Sequence, residues 1–284
     1  MNENLIGLIE QAGIVGAGGA GFPTHVKLKA QADTVIINGA ECEPLLRVDQ
    51  QLMAGQAEAL LEALDLMVEQ VGAQRGVVAL KEHYHAAVEA LGRALPTHPK
   101  LSLHTMGGFY PAGDEQVIVY EVTGRIVPEG GIPLNVGVVV SNVETALNVL
   151  EAVRRQTPVI EKYVTITGAV RTPKTVKVPL GITVAEMLAL AGGPTVEHYQ
   201  VVNGGPMMGK VVPTDSVVTK TTKGLIVVPE GHPLLNSLNR SVPQMLRDAG
   251  AACMQCSLCS EVCPRGLLGH RIQPHKMMRL AAYG

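Results

Sequence analysis

Hydrophobic positions in the first half of the chain alternate between short apolar runs and longer helical stripes. Residues 34–38 form an apolar run that stops at Asn38-Gly39, as a buried strand ending in a turn does. Residues 50–71 carry one apolar stripe at helical spacing, and Gly72 follows as a C-cap. The same pattern of hydrophobic positions predicts strands at 76–80, 101–105 and 136–140, and helices at 84–95, 114–122 and 143–155. Strands this apolar on both faces are typical of a helix-covered parallel sheet, so we predict an α/β domain over residues 1–157.

Residues 158–232 have a different pattern and predict a second domain. Two alternating runs, 163–168 and 175–178, flank a turn and are followed by a short helix at 184–191. Strand-like pieces return at 199–203 and 224–228. Two hairpin strands, one helix and later strands indicate a small α+β unit of the β-grasp kind. From residue 233 to residue 284 the sequence becomes helical and polar, and this third segment carries most of the cysteines.

Composition narrows the class of protein. The 284 residues are 46% hydrophobic and 17% charged, with a net charge of −2, and only 3% are aromatic. A basic surface and stacking side chains are therefore missing, which argues against nucleic-acid binding. No run approaches the ~20 apolar residues of a membrane helix, so we expect no integral membrane protein. The acidic start argues against an export signal, and we expect a cytoplasmic protein.

Four cysteines form the strongest motif, Cys253-x2-Cys256-x2-Cys259-x3-Cys263-Pro264. This spacing is typical of a [4Fe–4S] cluster, in which the cysteine before proline commonly ligates a second cluster. A structural zinc site is the alternative, although zinc sites usually use two separated cysteine pairs. No second cysteine run follows before Gly284. We therefore expect a fragment of a longer protein, whose cluster assembles poorly in this chain alone.

The second motif is a glycine loop at residues 16–21, which fits G-x-G-x-x-G. A Rossmann turn needs a strand before the loop and a helix opening within it. Here residues 4–11 look helical, and Phe22-Pro23 interrupts any helix that starts in the loop. Backbone N–H groups without Cβ atoms can still approach a phosphate closely, and Lys27 would add a cation.

Polar residues cluster where the predicted strands end. Because ligands of α/β sheets bind at strand ends, we predict one polar crevice there. Cys42 lies between two carboxylates, which disfavour its thiolate, so we predict that it is not a nucleophile. The sequence offers no convincing acid–base pair either, and we predict no catalytic side chain. The residues expected at the crevice, besides the glycine loop and Lys27, are Asn38, Glu41, Glu43, Tyr110, Gly113, Asp114, Glu115, Ser141, Asn142 and Thr145.

Four of these segments, 16–27, 38–44, 110–115 and 141–149, resemble in order the flavin-site segments of the NADH-oxidising subunit of respiratory complex I. They are more similar still to the RnfC-type proteins of Rnf electron-transport complexes and to the cobalamin reductases of propanediol-utilisation microcompartments. Residues 158–232 resemble the SLBB β-grasp domain of those proteins. Two features favour the cobalamin reductases: the position of the glycine loop near the start of the sequence, and the sequence of residues 43–49.

The resemblance implies a Rossmann-like FMN-binding domain with a defined set of contacts. Gly16, Gly18, Gly19 and Lys27 would lie near the FMN phosphate. Asn38 and Glu41 would lie near the ribityl chain or ring. Tyr110, Gly113, Asp114 and Glu115 would form another wall, and Asn142 and Thr145, after Ser141, would close the site. Phe22 and Glu43 occupy positions expected to bind nicotinamide, but Leu28 stands where the complex I relatives carry an aromatic residue.

The implied function is electron transfer from NADH through FMN and a [4Fe–4S] cluster to cobalamin, in support of a B12-dependent diol dehydratase. The implied partners are cobalamin or an enzyme carrying it, and microcompartment proteins around it in the cytoplasm. One alternative is an Rnf-type subunit of a membrane electron-transport complex. Another, of a different class, is a non-catalytic SLBB docking module with a vestigial flavin site.

Overall fold

The computed structural model describes residues 3–283, and their first part forms a parallel sheet between two layers of helices. Its strands are β1 (Thr34–Asn38), β2 (Arg75–Lys81), β3 (Leu101–Met106) and β4 (Val138–Asn142). Its helices are α1 (Glu3–Gln11), α2 (Thr24–Leu28), α3 (Val48–Gly55), α4 (Ala57–Val71), α5 (His85–Ala94), α6 (Glu115–Thr123) and α7 (Val143–Arg155). We call residues 3–155 the first unit.

The strands of the first unit run in the order β3-β2-β1-β4, and every pair is parallel. Alternate residues of each strand face opposite layers. Val35 and Ile37 pack into the larger core with α1, α3, α4, α5 and α7. Ile36 and Val140 pack into a smaller core with α6 on the other face. Both faces of the sheet are therefore buried, and the predicted α/β class is confirmed.

Local capping signals were reliable, but one predicted helix was wrong. Gly72 ends α4 with φ 69°, and the Asn142 side chain caps α7 by accepting from Glu144 N. The single helix predicted over 50–71 is two helices, because Gln56 leaves helical geometry (φ −135°, ψ 38°). The break lets α3 turn toward α5 while α4 packs along α7.

Two further differences concern the ends of elements. The strand predicted at 136–140 lies at 138–142, because residues 133–136 form a 3₁₀ turn that ends at Gly137 (φ 74°). Helix α2 was not predicted. It starts directly after Pro23, its N-cap, and no helix forms within the glycine loop at residues 16–21, as expected.

A five-stranded mixed sheet, residues 161–229, forms what we call the second unit. It contains β5 (Glu161–Gly168), β6 (Lys174–Pro179), α8 (Val184–Leu190), β7 (Tyr199–Asn203), β8 (Lys210–Val212) and β9 (Gly224–Pro229). The strand order is β6-β5-β9-β7-β8, with β5 and β9 parallel and the other neighbours antiparallel. The predicted hairpin and helix are confirmed, whereas β8 was not predicted. The predicted domain boundaries fall between elements, since α7 ends at 155 and β9 at 229.

The remaining helices are short and poorly buried. They are α9 (Pro233–Leu238), α10 (Val242–Ala252), α11 (Leu258–Glu261), α12 (Pro264–Leu267) and α13 (Pro274–Tyr283). We call residues 242–283 the cysteine segment. It contacts the first unit through polar groups, among them Arg265 with Asp114 at 2.8 Å and His270 Nε2 with the Val127 carbonyl at 2.8 Å. Across residues 3–283, none of the helices has both the length and the apolar character that crossing a membrane requires.

Candidate functional site

A cavity of about 650 Å³ lies at the carboxyl ends of β1 and β4, where the second unit meets the first. Ligands of parallel α/β sheets bind at this edge, so the cavity has the position that the sequence predicted. Of the predicted residues, Gly19 and Asp114 do not line it. Those that do are Gly16, Gly18, Lys27, Asn38, Glu41, Glu43, Tyr110, Gly113, Glu115, Ser141, Asn142 and Thr145.

The glycine loop closes on itself between α1 and α2. Gly16 N donates to the Phe22 carbonyl at 2.9 Å, and Ala17 N donates to Thr145 Oγ1 at 2.9 Å. Within residues 3–283, the N–H groups of the next three residues, Gly18 to Ala20, donate to no other group. Gly19 has φ 121°, a conformation that side chains rarely adopt. The loop therefore presents successive free donors, an arrangement suited to a phosphate.

Lys27 supplies the cation beside this loop. Its Nζ donates to the Val140 carbonyl at 2.7 Å and lies 3.6 Å from Glu115 Oε1. The same ammonium is 5.8 Å from the centre of the Phe22 ring at the mouth of the cavity. Leu28, the next residue, is fully buried in the core of the first unit and takes no part in the cavity.

Asn38 and Gly113 hold together two loops that line the cavity. Asn38 Oδ1 accepts from Ala40 N at 3.1 Å, and its Nδ2 donates to the Gly113 carbonyl at 2.8 Å. A Cβ at position 113 would lie 2.1 Å from the Ala40 carbonyl oxygen, so only glycine fits. Cys42 Sγ accepts from Gly113 N at 3.0 Å. Burial raises the pKa of the Cys42 thiol, which keeps it protonated at neutral pH.

A buried charge cluster forms part of the wall, with side chains from both units. Lys223 Nζ lies 2.5 Å from Asp49 Oδ2 and 2.7 Å from Glu41 Oε2. Burial disfavours the Lys223 ammonium, but the adjacent Asp49 and Glu41 carboxylates outweigh that effect and raise its pKa. Burial raises the pKa of Glu41, which Lys223 opposes. Asp49 Oδ2 also accepts from Asn142 Nδ2 at 2.9 Å.

A second buried ion pair joins the units behind the glycine loop. Lys162, on β5, pairs with Glu144, in the first turn of α7, and each side chain is at most 2% exposed. Glu144 Oε1 also accepts from Tyr163 N at 2.9 Å, and Lys162 Nζ donates to the Ala17 carbonyl at 3.4 Å. Burial lowers the pKa of Lys162, and Glu144 opposes that shift.

Glu43 is held by the second unit at the mouth of the cavity. Its carboxylate accepts from Met207 N at 3.0 Å and Met208 N at 2.8 Å. A Cβ at position 205 would lie 2.0 Å from Glu43 Oε2, so Gly205 is required for this approach. The exposed side chains of Phe22, Tyr110 and Met208 complete an apolar rim.

Asp114 and the four cysteines of the cysteine segment lie outside the cavity. Asp114 Oδ1 caps α6 by accepting from Gln116 N and Val117 N, while its Oδ2 accepts from Arg265 in the cysteine segment. Its carboxylate thus joins the cysteine segment to the first unit. All of the cysteines are free, and Cys256 and Cys259 are exposed. In the described part of the chain, no three His, Cys, Asp or Glu side chains are grouped so as to hold a metal ion. The [4Fe–4S] ligands Cys253, Cys256, Cys259 and Cys263 therefore stay a prediction from spacing.

Sequence reasoning missed Asp49 and Lys223. Asp49 looks like an ordinary first-turn acid of a helix, and Lys223 precedes an apolar strand. The two residues are 174 positions apart, so no local pattern connects them. The only available signal was a lysine directly before a strand that is otherwise buried.

The fold and cavity define a class: an α/β nucleotide-binding unit joined to a mixed sheet and a cysteine-bearing helical segment. Residues 9–151 match the Nuo51 FMN-binding domain family, residues 163–211 the SLBB domain, and residues 252–284 the 4Fe-4S dicluster domain. The chain therefore belongs to the family of proteins with a Nuo51 FMN-binding domain. The predictions of FMN-binding, SLBB and iron–sulfur domains are confirmed at that level.

Similar proteins include two cobalamin reductases. The chain is 48% identical to cobalamin reductase PduS of Citrobacter freundii over 97% of its own length and 61% of that protein. PduS of Salmonella typhimurium is 47% identical, with 95% and 60% covered. A subunit of the Na(+)-translocating ferredoxin:NAD(+) oxidoreductase complex of Acetobacterium woodii is 36% identical, with 90% and 57% covered. The chain thus spans about three fifths of the PduS proteins that it matches.

Among solved structures, an NAD+-reducing [NiFe]-hydrogenase in the air-oxidized state superposes with a TM-score of 0.70 at 21% identity. The match covers 99% of this chain and 53% of the hydrogenase chain. This likeness supports the fold.

Proposed function

We propose that the chain binds FMN in this cavity and is the flavin-bearing part of an NADH-dependent cobalamin reductase. The observation that carries the proposal is the glycine loop: the N–H groups of residues 18–20 donate to no group within residues 3–283, and Gly18, Ala20 and Lys27 line the same cavity at the edge of the parallel sheet. Donors of this kind, with a cation beside them, bind a phosphate monoester.

Different groups of the cavity would contact different parts of FMN. The N–H groups of the glycine loop and Lys27 would hold the phosphate. Asn38, Asn142 and Thr145 fix the surrounding loops, and Ser141 lines the cavity beside them. Asp49 Oδ1 is buried without a hydrogen-bond partner in residues 3–283. That oxygen is available to accept from a hydroxyl or N–H of the bound nucleotide. Apolar side chains at the rim would exclude water from the ring.

When bound, FMN accepts two electrons as a hydride and releases them one at a time, which matches a one-electron iron–sulfur cluster. Cys253, Cys256 and Cys259 would hold that cluster in the whole protein, and Cys263, before Pro264, is the ligand that commonly reaches a second cluster. Arg265, directly after Pro264, fixes their segment to Asp114 at the first turn of α6, next to the Gly113 wall of the cavity.

The donor and acceptor are inferred from relatives. Identity of 48% to a cobalamin reductase, against 36% to the ferredoxin:NAD(+) oxidoreductase subunit, supports cobalamin or a cobalamin-carrying enzyme as the acceptor. The same relationship supports a location among microcompartment proteins in the cytoplasm. NADH as donor is supported by Phe22 and Glu43 at the mouth of the cavity.

The first test measures the binding of FMN to flavin-free protein, using the quenching of FMN fluorescence as the readout. Native protein should bind, and Lys27→Met should bind at least about tenfold more weakly, because an ammonium–phosphate contact is lost. Lys29→Met, two residues further on, is the matched control. A native chain that binds no FMN would leave the docking-module interpretation as the better one.

The second test separates acceptors and uses the whole protein with both flavin and cluster. NADH should reduce aquacobalamin, with ferricyanide as the general acceptor for comparison. Ferricyanide reduction without cobalamin reduction would contradict the proposed acceptor while leaving the FMN site intact.

A further inference from the structure

Lys223 crosses from the second unit into the cavity wall of the first. It stands directly before β9, and its side chain is only 9% exposed. Within the described chain, Lys223 and Met208 are the residues of the second unit that line the cavity. Met208 is exposed at the rim, whereas Lys223 is buried between two carboxylates. The second unit therefore contributes a fixed positive charge to the site.

A continuous set of contacts leads from Lys223 to the glycine loop. The ammonium lies 2.5 Å from Asp49 Oδ2, and the same oxygen accepts from Asn142 Nδ2 at 2.9 Å. The Asn142 side chain in turn faces Gly18 of the loop, where an added Cβ would lie 3.5 Å from Asn142 Cβ. The orientation of the Asn142 amide is thus fixed from both ends, by Asp49 and by the backbone N–H of Glu144.

Asp49 has its hydrogen bonds on one oxygen. Oδ2 receives both Lys223 and Asn142, while the buried Oδ1 has no partner among residues 3–283. A buried carboxylate oxygen without a partner is costly, and a bound ligand that donates to it removes that cost. The position of Oδ1 depends on how Oδ2 is held, and Lys223 is the charged group that holds it.

We propose that Lys223 is a positioning residue of the FMN cavity, which holds Asp49 and, through it, the Asn142 amide in the arrangement that receives the nucleotide. The inference rests on the proposed function and deepens it, because it makes the second unit part of the flavin site. The second unit thereby completes the cavity in addition to packing against it.

The test is a double-mutant cycle on FMN affinity, with Lys223→Met, Asp49→Asn and the two together. Lys223→Met should weaken FMN binding about 10- to 100-fold, because a charge-assisted contact is lost and two buried carboxylates stay without a cation. Asp49→Asn should cost less, since its amide oxygen can still accept from Asn142. The double variant should bind within about threefold of Asp49→Asn, because both residues act through one contact.

Lys220→Met is the matched control. Lys220 lies three residues earlier and also reaches the first unit, where its Nζ donates to the Gly13 carbonyl at 2.5 Å, but it does not line the cavity. Its loss should leave FMN affinity unchanged. The thermal unfolding midpoint of each variant shows whether it is folded.

The double variant keeps the net charge of the native cluster, so it tests the proposal even where Lys223→Met alone does not fold. Losses that simply add in the cycle, or a double variant far weaker than Asp49→Asn, would overturn the positioning role. Equal FMN affinity of native and Lys223→Met would overturn it as well. Failure of the native chain to bind FMN is a separate result, which contradicts the proposed function itself.

Discussion

Two regions of the molecule are stabilised in opposite ways: the boundary where the first unit meets the second, and the cysteine segment. The boundary contains ion pairs withdrawn from water, Lys162 with Glu144 and Lys223 with Asp49 and Glu41. In the cysteine segment, α10, α11 and α12 have no buried residue, and Met254, Leu267 and Met277 are exposed. The segment is attached to the first unit by a few polar contacts.

The cavity and the cysteine segment therefore have different sources of structural order. A buried ion pair requires both partners in place, because removing one leaves the other charge uncompensated in a low-dielectric interior. The shape of the cavity is therefore determined by the folding of the two units. The cysteine segment lacks such a core, and we expect the cluster itself to order it.

The largest expected effect is at the buried pair. Lys162→Met leaves Glu144 charged and without its cation, so it should lower the free energy of unfolding by about 3–5 kcal/mol. Urea unfolding followed by circular dichroism measures the change. Lys177→Met, which breaks the pair with Glu161 on neighbouring strands at about half exposure, is the control and should cost no more than about 1 kcal/mol. Equal losses in both variants would show that the buried pair contributes no more to stability than an exposed one.

A smaller effect is expected where the cysteine segment meets the first unit. Arg265→Gln removes the contact with Asp114 and should change the free energy of unfolding by less than about 1 kcal/mol, because the pair is partly exposed. The same change should speed tryptic cleavage after Arg247 severalfold, since the segment opens locally without global unfolding. Arg154→Gln, which breaks an exposed pair with Glu62, should leave that cleavage rate as it is. Cleavage that stays as slow as in the native chain would show that other contacts hold the segment.

The smallest effect at neutral pH concerns Tyr84, whose hydroxyl lies 3.4 Å from the Glu41 carbonyl. Burial, together with the nearby Glu41 and Asp49 charges, raises the pKa of Tyr84 to about 12. The folded chain therefore holds this proton more tightly than the unfolded chain, whose tyrosines titrate near 10.0. The resulting stability is complete below pH 10 and is lost as the pH rises through 12. Tyrosinate absorbance should show one late-titrating group that disappears in Tyr84→Phe; a late group that persists would assign the shift elsewhere.

Signals carried by neighbouring residues predicted most of the fold. Asn142 before an apolar stripe and Gly72 after one marked the ends of helices correctly, because capping involves only adjacent backbone. The apolar run at 34–38 became β1 with the predicted bounds. The break at Gln56 was missed, since the apolar stripe continues through it and the bend is determined by packing of α3 against α5.

Only those parts of the candidate site that lie within short segments of the chain could be predicted from the sequence. The glycine loop and the strand-end residues lie in short segments, so the cavity's first-unit wall followed from the sequence. Asp114 was expected on that wall, but its carboxylate caps α6 and pairs with Arg265. The charge cluster depends on a contact between residues 49 and 223, which arises only when the second sheet docks.

The contact of Glu43 with the backbone of Met207 and Met208 has a consequence for which molecules can enter. The main chain at the entrance is fixed by two hydrogen bonds, while the Met208 side chain is 79% exposed and free to change rotamer. Thioether side chains adapt to differently shaped surfaces at little cost. We therefore expect the entrance to adapt to bound molecules of different shape through the rotation of one flexible side chain.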